Sequence, residues 1–253
     1  MKKTKKVIFI ISLLTIRFAS AQNTYVYPSA NDPQANEKAH LFILSGQSNM
    51  ARFKPETTFT PNIVKAFGEG NVLIVKDAMG GQSIQRWYKD WKSVQGAPGK
   101  ENGDLYDRLI TKVKSSIKGK KILSVSFIWM QGEKDAVINQ TGVYKKSFFG
   151  LLKQLEQDLG RTDLNVVIGR LSDYSLHPGK NYGKHKEWQQ MRELQVSMAE
   201  ELPSAAWVNC DDLNNKTDKK ANAIFNDVHY THDGYDLLGE RYAEKVTALV
   251  KGK

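Results

Sequence analysis

The sequence contains a single cysteine, Cys210, in 253 residues. That excludes an intrachain disulfide and any cysteine-built zinc or redox framework. Cys210 follows Trp207-Val208-Asn209 at a predicted strand end and reads as a small core residue. Internal repeats and low-complexity linkers are also missing, which argues against a solenoid or a string of modules. Beyond residue 21 no run is apolar and long enough to cross a bilayer. Histidine is scarce, and only His229 and His232, flanked by Asp227 and Asp233, suggest a metal site. No further ligand cluster accompanies them, so no metal is expected.

The chain opens with the basic stretch Met1-Lys2-Lys3-Thr4-Lys5-Lys6. An apolar segment follows from Val7 to Ile16, then Phe18-Ala19-Ser20-Ala21-Gln22. This is the order of a secretory signal peptide, with residues 1–21 removed by cleavage after Ala21. Arg17 and the shortness of the apolar segment argue against a retained anchor, so no membrane insertion is expected after cleavage. A secreted or periplasmic protein of residues 22–253 is the expectation, long enough for one α/β domain. The formal charge of +10 also shrinks, because five basic residues and no acids lie in the signal. What remains, as at Lys118–Lys121, looks like solvated loop and not a nucleic-acid stripe.

Apolar, β-branched runs predict strands at Leu41–Leu44, Val72–Val75, Ile122–Met130, Val166–Leu171 and Ala206–Asn209. Most are continuous, as in a parallel sheet buried on both faces. Helical spacing lies between them: Leu105, Leu109, Val113 and Ile117 after a cap at Asp104; Phe148 to Leu159, closed by Gly160; Trp188 to Met198, ended by Pro203; and Leu237 to Leu249. The alternation predicts a three-layer α/β/α sandwich with a flavodoxin-like parallel sheet. Asn23–Asn36 is read as an irregular lead-in and Ser175–Lys186 as a loop.

Open parallel sheets bind ligands beyond the carboxyl ends of their strands. After the first predicted strand stands Ser45-Gly46-Gln47-Ser48-Asn49-Met50, and after the second Met79-Gly80-Gly81-Gln82-Ser83. After the third comes Trp129-Met130-Gln131-Gly132-Glu133-Lys134-Asp135, and before the last helix Asp227-Val228-His229. A serine, paired glycines, an amide, carboxylates and a histidine on one rim are the parts that acyl transfer uses. Alone, each has a plainer reading: Ser48 as a helix cap, Gly80-Gly81 as a turn, Glu133 as a solvated carboxylate.

Taken in order, "GQSNM", "GGQSIQRW", "WMQGEKDA" and "DVHYTHDGYDLLGERYAE" resemble the SGNH hydrolase superfamily. Within it they resemble the sialate O-acetylesterase-like and acetylxylan esterase branch, carbohydrate esterase family six. The resemblance implies the SGNH form of the flavodoxin-like fold and removal of acetyl groups from carbohydrate without a cofactor. It implies Ser48 as nucleophile, through an acetyl-enzyme, and His229 as base. The backbone amides of Ser48 and Gly81 and the side chain of Gln131 would form the oxyanion hole. Many members place Asp three residues before the histidine; here that position is Asn226, and Asp227 stands two before. The acid behind His229 is therefore either Asp227 or Glu133. Gly80, Arg86, Trp87 and Tyr174 are candidates for substrate contact, with Tyr88, Trp91 and Arg170 nearby; ordinary packing suits each equally. Two rival readings are a non-catalytic glycan-binding domain on this scaffold and an SGNH esterase for lipid or peptidoglycan esters.

Overall fold

The computed structural model describes residues 23–28, 37–176, 185–217, 223–224 and 227–252. The predicted signal segment and Asn226 lie outside the described residues. Among the described residues six strands form one sheet: β1 (Asn23–Tyr27), β2 (Lys38–Gly46), β3 (Val72–Ala78), β4 (Lys121–Met130), β5 (Asn165–Gly169) and β6 (Ala205–Val208), in the order β1-β3-β2-β4-β5-β6. All neighbours are parallel except β1 with β3. Without β1, the order is that of a flavodoxin-like sheet, and the strand order reverses between β2 and β4. All of β3 and β5 and the last six residues of β2 and β4 are buried, which is why these strands lack alternation in the sequence. A small hairpin pairs β7 (Lys216–Thr217) with β8 (Ala223–Ile224).

The α-helices of the described residues that cover or join the sheet are α1 (Ser48–Arg52), α2 (Phe59–Phe67), α3 (Asp104–Ser116), α4 (Glu133–Val137), α5 (Thr141–Leu159), α6 (His185–Glu201) and α7 (His232–Lys251). Helices α2 and α7 pack together on one face, and α3, α5 and α6 cover the other. This is the expected three-layer α/β/α sandwich. Strand β3 shows how both layers are held. Its adjacent residues Lys76 and Asp77 are buried and point to opposite faces, as the strand's period requires. Lys76 Nζ donates to the carbonyls of Ala51 (3.1 Å) and Phe53 at the end of α1. Asp77 accepts from Arg108 (2.5 and 2.9 Å) and Lys112 (2.7 Å) on α3.

Two local expectations are corrected. Asn23–Tyr27 is an edge strand paired with β3 from Asn23↔Ala78 to Tyr27↔Ile74, not an irregular lead-in. Tyr25 and Tyr27 pack against the core while Thr24 and Val26 are exposed, a pattern too short to stand out beside Pro28. Helix α3 is capped by Gly103, at φ +76°, and Asp104 is its first residue, its carboxylate taken by Arg86. Gly160 closes α5 in the left-handed conformation, as its position after Leu159 suggests. Cys210 is fully buried, and burial pushes its thiol up to about 12.

Candidate active site

The exit of β2 is built on Gly46. At φ +144° a Cβ would lie 2.0 Å from the Met130 carbonyl oxygen at the end of β4, so only glycine fits. Gly46 O then accepts the Met79 amide (3.1 Å) and Met130 O accepts the Gln47 amide (2.9 Å), tying the ends of β2, β3 and β4 together. The chain turns at once into α1, whose cap is Gln47 and whose first residue is Ser48. Ser48 is half-buried among buried neighbours Gln47 and Asn49. Its amide belongs to the first turn, so it has no acceptor within the helix.

The loop after β3 lies directly against the serine. A Cβ on Gly80 would stand 3.5 Å from Ser48 Cβ, and Gly81 takes φ +72° with open space around it. Gln82 Nε2 donates to Gly80 O (3.0 Å), and Gln82 Oε1 accepts from Arg86 (2.9 Å). Arg86 is in turn held by Asp104 (both bonds 2.5 Å) and Glu101 (3.2 Å). Its guanidinium thus braces the glycine turn with its charge already balanced.

Helix α4 carries two buried carboxylates into this rim. Asp135 accepts from Ser83 Oγ (2.7 Å), the Ile84 amide (2.9 Å) and Gln131 Nε2 (2.6 Å), anchoring the far end of the glycine loop. Glu133 Oε1 accepts from Asn49 Nδ2 (3.0 Å), while Oε2 is buried with no hydrogen-bond partner among the described residues. Burial raises both acids, Glu133 to about 7 and Asp135 to about 6. The fifth segment arrives through the same amide: Asn49 Nδ2 also donates to the Val228 carbonyl (2.9 Å), whose peptide leads into His229. The His229 amide donates to Asp227 Oδ1 (3.1 Å), and the Asp227 carbonyl accepts from Asn214 (2.9 Å). Asp227, Val228 and His229 are half-buried at the edge of the site.

Ser48, Gly80, Gly81, Glu133, Asp227 and His229 are therefore gathered on one rim, at the point where the strand order reverses. Gln131 sits under it in a different posture from the one expected. It is fully buried, and its amide meets three acceptors: Gln82 O (3.0 Å), Asp135 Oδ2 (2.6 Å) and Gln47 Oε1 (3.3 Å). Both hydrogens are spent, so Gln131 braces the rim and offers no donor to an oxyanion in this arrangement. Trp87 is also corrected: it is 1% exposed and packs edge-on against Trp129 (5.3 Å), beyond the reach of a sugar. Trp91 is buried as well, and Tyr88 packs over Gly150. Arg170 is engaged with Asn209 and Asp211. Tyr174 remains half-buried, edge-on to Trp188 (5.8 Å).

Reading by motif passed over Gln47, Asn49, Asp135, Tyr235 and Asn214. All but Asn214 lie inside or beside the four quoted blocks, where polar residues interrupting apolar segments were the available signal. No group of three or more potential metal ligands occurs among the described residues.

The elevated Glu133 has a measurable consequence. The folded state holds its proton more tightly than the unfolded state, where the ordinary value is 4.5. This contribution to stability is complete below that value and is lost as pH rises through about 7. Glu133→Gln mimics the protonated acid and does not titrate. Between pH 5 and 8 its stability relative to wild type should therefore rise by about 2 kcal/mol. Denaturant titrations of both proteins at the two pH values check this, and a constant difference would count against it.

The family model described as carbohydrate esterase, sialic acid-specific acetylesterase, matches residues 51–248, beginning three residues after Ser48. No curated protein matches the sequence. Among solved structures, a carbohydrate acetylesterase of Xanthomonas citri superposes with a TM-score of 0.61 at 17% identity. The match covers 85% of this chain but 57% of that one, so this chain spans little more than half its length. An Arabidopsis thaliana protein gives 0.57 at 19% identity, covering 85% and 98% of the two chains. A carbohydrate acetylesterase family member of Sinorhizobium meliloti gives 0.52 at 14%, covering 84% and 99%. At these identities the structures speak for a shared SGNH hydrolase fold; the family model, matching most of the sequence, speaks for descent. The chain belongs to the carbohydrate esterase family of sialic acid-specific acetylesterases.

Proposed function

We propose that the protein is a secreted carbohydrate O-acetylesterase that works through an acetyl-enzyme on Ser48. The observation that carries this reading is the convergence on one rim of Ser48, the Gly80-Gly81 turn that lies against it and the His229 loop that Asn49 ties to it. His229 takes the Ser48 proton as Oγ bonds to the acetyl carbonyl carbon. The backbone amides of Ser48 and Gly81 receive the developing oxyanion. The intermediate collapses with loss of the sugar oxygen, which leaves with the proton from His229. Water, deprotonated by His229, then attacks the acetyl-enzyme; acetate departs and Ser48 recovers its proton. Asp227 is the acid that orients His229, with Glu133 assisting. Tyr174 is the aromatic platform best placed by exposure to meet a sugar. The signal-like N-terminus supports secretion. The acetylated sugar belongs to a glycan; xylan, pectin and sialic acid are the classes to compare.

The test is ester hydrolysis by the purified protein without added metal. It should cleave a small acetyl ester faster than its butyryl counterpart, release acetate from at least one acetylated glycan, and keep its rate in a chelator. Strong chelator inhibition reversed by zinc or manganese would overturn the serine mechanism; a preference for long acyl chains would move the substrate to lipids.

A further inference from the structure

The Val228–His229 peptide is held from both sides. Its carbonyl accepts from Asn49 Nδ2 and its N–H donates to Asp227 Oδ1. The first of these bonds comes from the residue that follows Ser48. Asn49 is 2% exposed, and every hydrogen-bonding position of its amide that the geometry addresses is matched. Nδ2 has two hydrogens, and it faces two acceptors, Glu133 Oε1 at 3.0 Å and Val228 O at 2.9 Å. Oδ1 faces the Tyr235 hydroxyl at 2.9 Å, which must donate because an amide oxygen can only accept. Turning the amide over would set oxygen against a carboxylate and a carbonyl, and nitrogen against the hydroxyl. The three partners therefore choose one orientation.

We propose that Asn49 is a positioning residue that fixes the His229 backbone relative to Ser48, and that Tyr235 sets the orientation of its amide. This rests on the reading of Ser48 as nucleophile and His229 as base. Asn49 touches neither reacting atom; it acts through the peptide that carries the base. Tyr235, on α7, supplies the hydroxyl from the same helix that the histidine loop enters. Aspartate cannot replace Asn49, because the ionised side chain has no hydrogen to give and would face the Glu133 carboxylate. Alanine removes the tie but adds no repulsion.

Displacing a catalytic group by about 1 Å can cost about 10²-fold in rate. Asn49→Ala should therefore lower kcat by about 10²-fold, with KM changed by less than about twofold, since no substrate contact is removed. Tyr235→Phe, a milder change that preserves the ring, should lower kcat about fivefold, again with KM unchanged. In the Asn49→Ala background Tyr235→Phe should have no further effect on kcat, because the amide it orients is gone. Melting curves establish that each variant is folded, and Ser48→Ala serves as the control for the underlying reading. If Ser48→Ala is inactive while Asn49→Ala and Tyr235→Phe both keep wild-type kcat, the positioning role is wrong and the nucleophile assignment stands. If Ser48→Ala retains activity, the underlying reading fails. Equal effects of Tyr235→Phe in both backgrounds overturn its link to Asn49. Should Asn49→Ala fail to fold, the Tyr235→Phe single variant still decides: unchanged kcat overturns the proposal.

Discussion

Replacing Ser48 with alanine is expected to lower kcat by about 10⁴-fold or more while changing stability by less than about 1 kcal/mol. The two halves of this expectation come from the same geometry. Ser48 is the first residue of α1 and half-buried, so alanine leaves no cavity in the core and suits the helix. On the proposed mechanism the reaction, by contrast, loses the atom that bonds to the acetyl carbon. Steady-state kinetics on a small acetyl ester, with thermal melts of both proteins, make the comparison. Residual activity near wild type would place the nucleophile elsewhere. A large loss of stability would show that the hydroxyl has a packing role.

The second large effect is expected at Asp227, the acid proposed to orient His229. An acid in that position selects the imidazole tautomer that leaves the other nitrogen free for the serine, and it stabilises the imidazolium. Changing such an acid to its amide costs about 10⁴-fold in the serine-protease template. Asp227→Asn is therefore expected to lower kcat by about 10³-fold or more, and Glu133→Gln by less. In support, the Asp227 carboxylate is already turned to the His229 residue, accepting its amide at 3.1 Å. Glu133 reaches the same loop indirectly, through Asn49 and the Val228 carbonyl. The reverse ranking would give the orienting role to Glu133, whose second oxygen is buried with no partner among the described residues. If neither change matters, the base works without a carboxylate. Kinetics of both variants, with folding checked by melting, separate the three outcomes.

The parts of the molecule legible in the sequence are those whose signal is local. Strands β2 to β6 announce themselves as apolar runs because both faces of the sheet are covered. The longer helices show their apolar stripes and, in α5, the closing glycine. The short elements at the site do not. Helices α1 and α4 have five residues each, too few for periodicity to register. Strand β1 gains its ladder from β3, which no inspection of Asn23–Tyr27 reveals. The motif blocks supplied Ser48, Gly81, Glu133 and His229, but not who holds them. Trp87 and Gln131 illustrate the difference. An indole beside a motif suits a sugar or a core equally, and only its burial against Trp129 decides. An amide beside a motif suits an oxyanion or a brace, and only its three acceptors decide. Arg86 follows the same logic, its charge taken by Asp104 and Glu101, which lie 18 and 15 positions further along the chain.

The amide of Asn49 also sets an order in time. Its partners lie 84, 179 and 186 residues further along the chain, at Glu133, Val228 and Tyr235. Closing loops of that length carries an entropy that neighbouring contacts cannot recover until the sheet has formed. During synthesis, residue 235 emerges only after all the strands of the sheet. Until the C-terminal segment arrives, the amide lacks two of its three partners, and the peptide that carries His229 lacks its tie to Asn49. Strands β2 to β5 can be paired while the machinery at their ends is still open. On the proposed mechanism, the sheet can thus be paired before the site at its strand ends is complete.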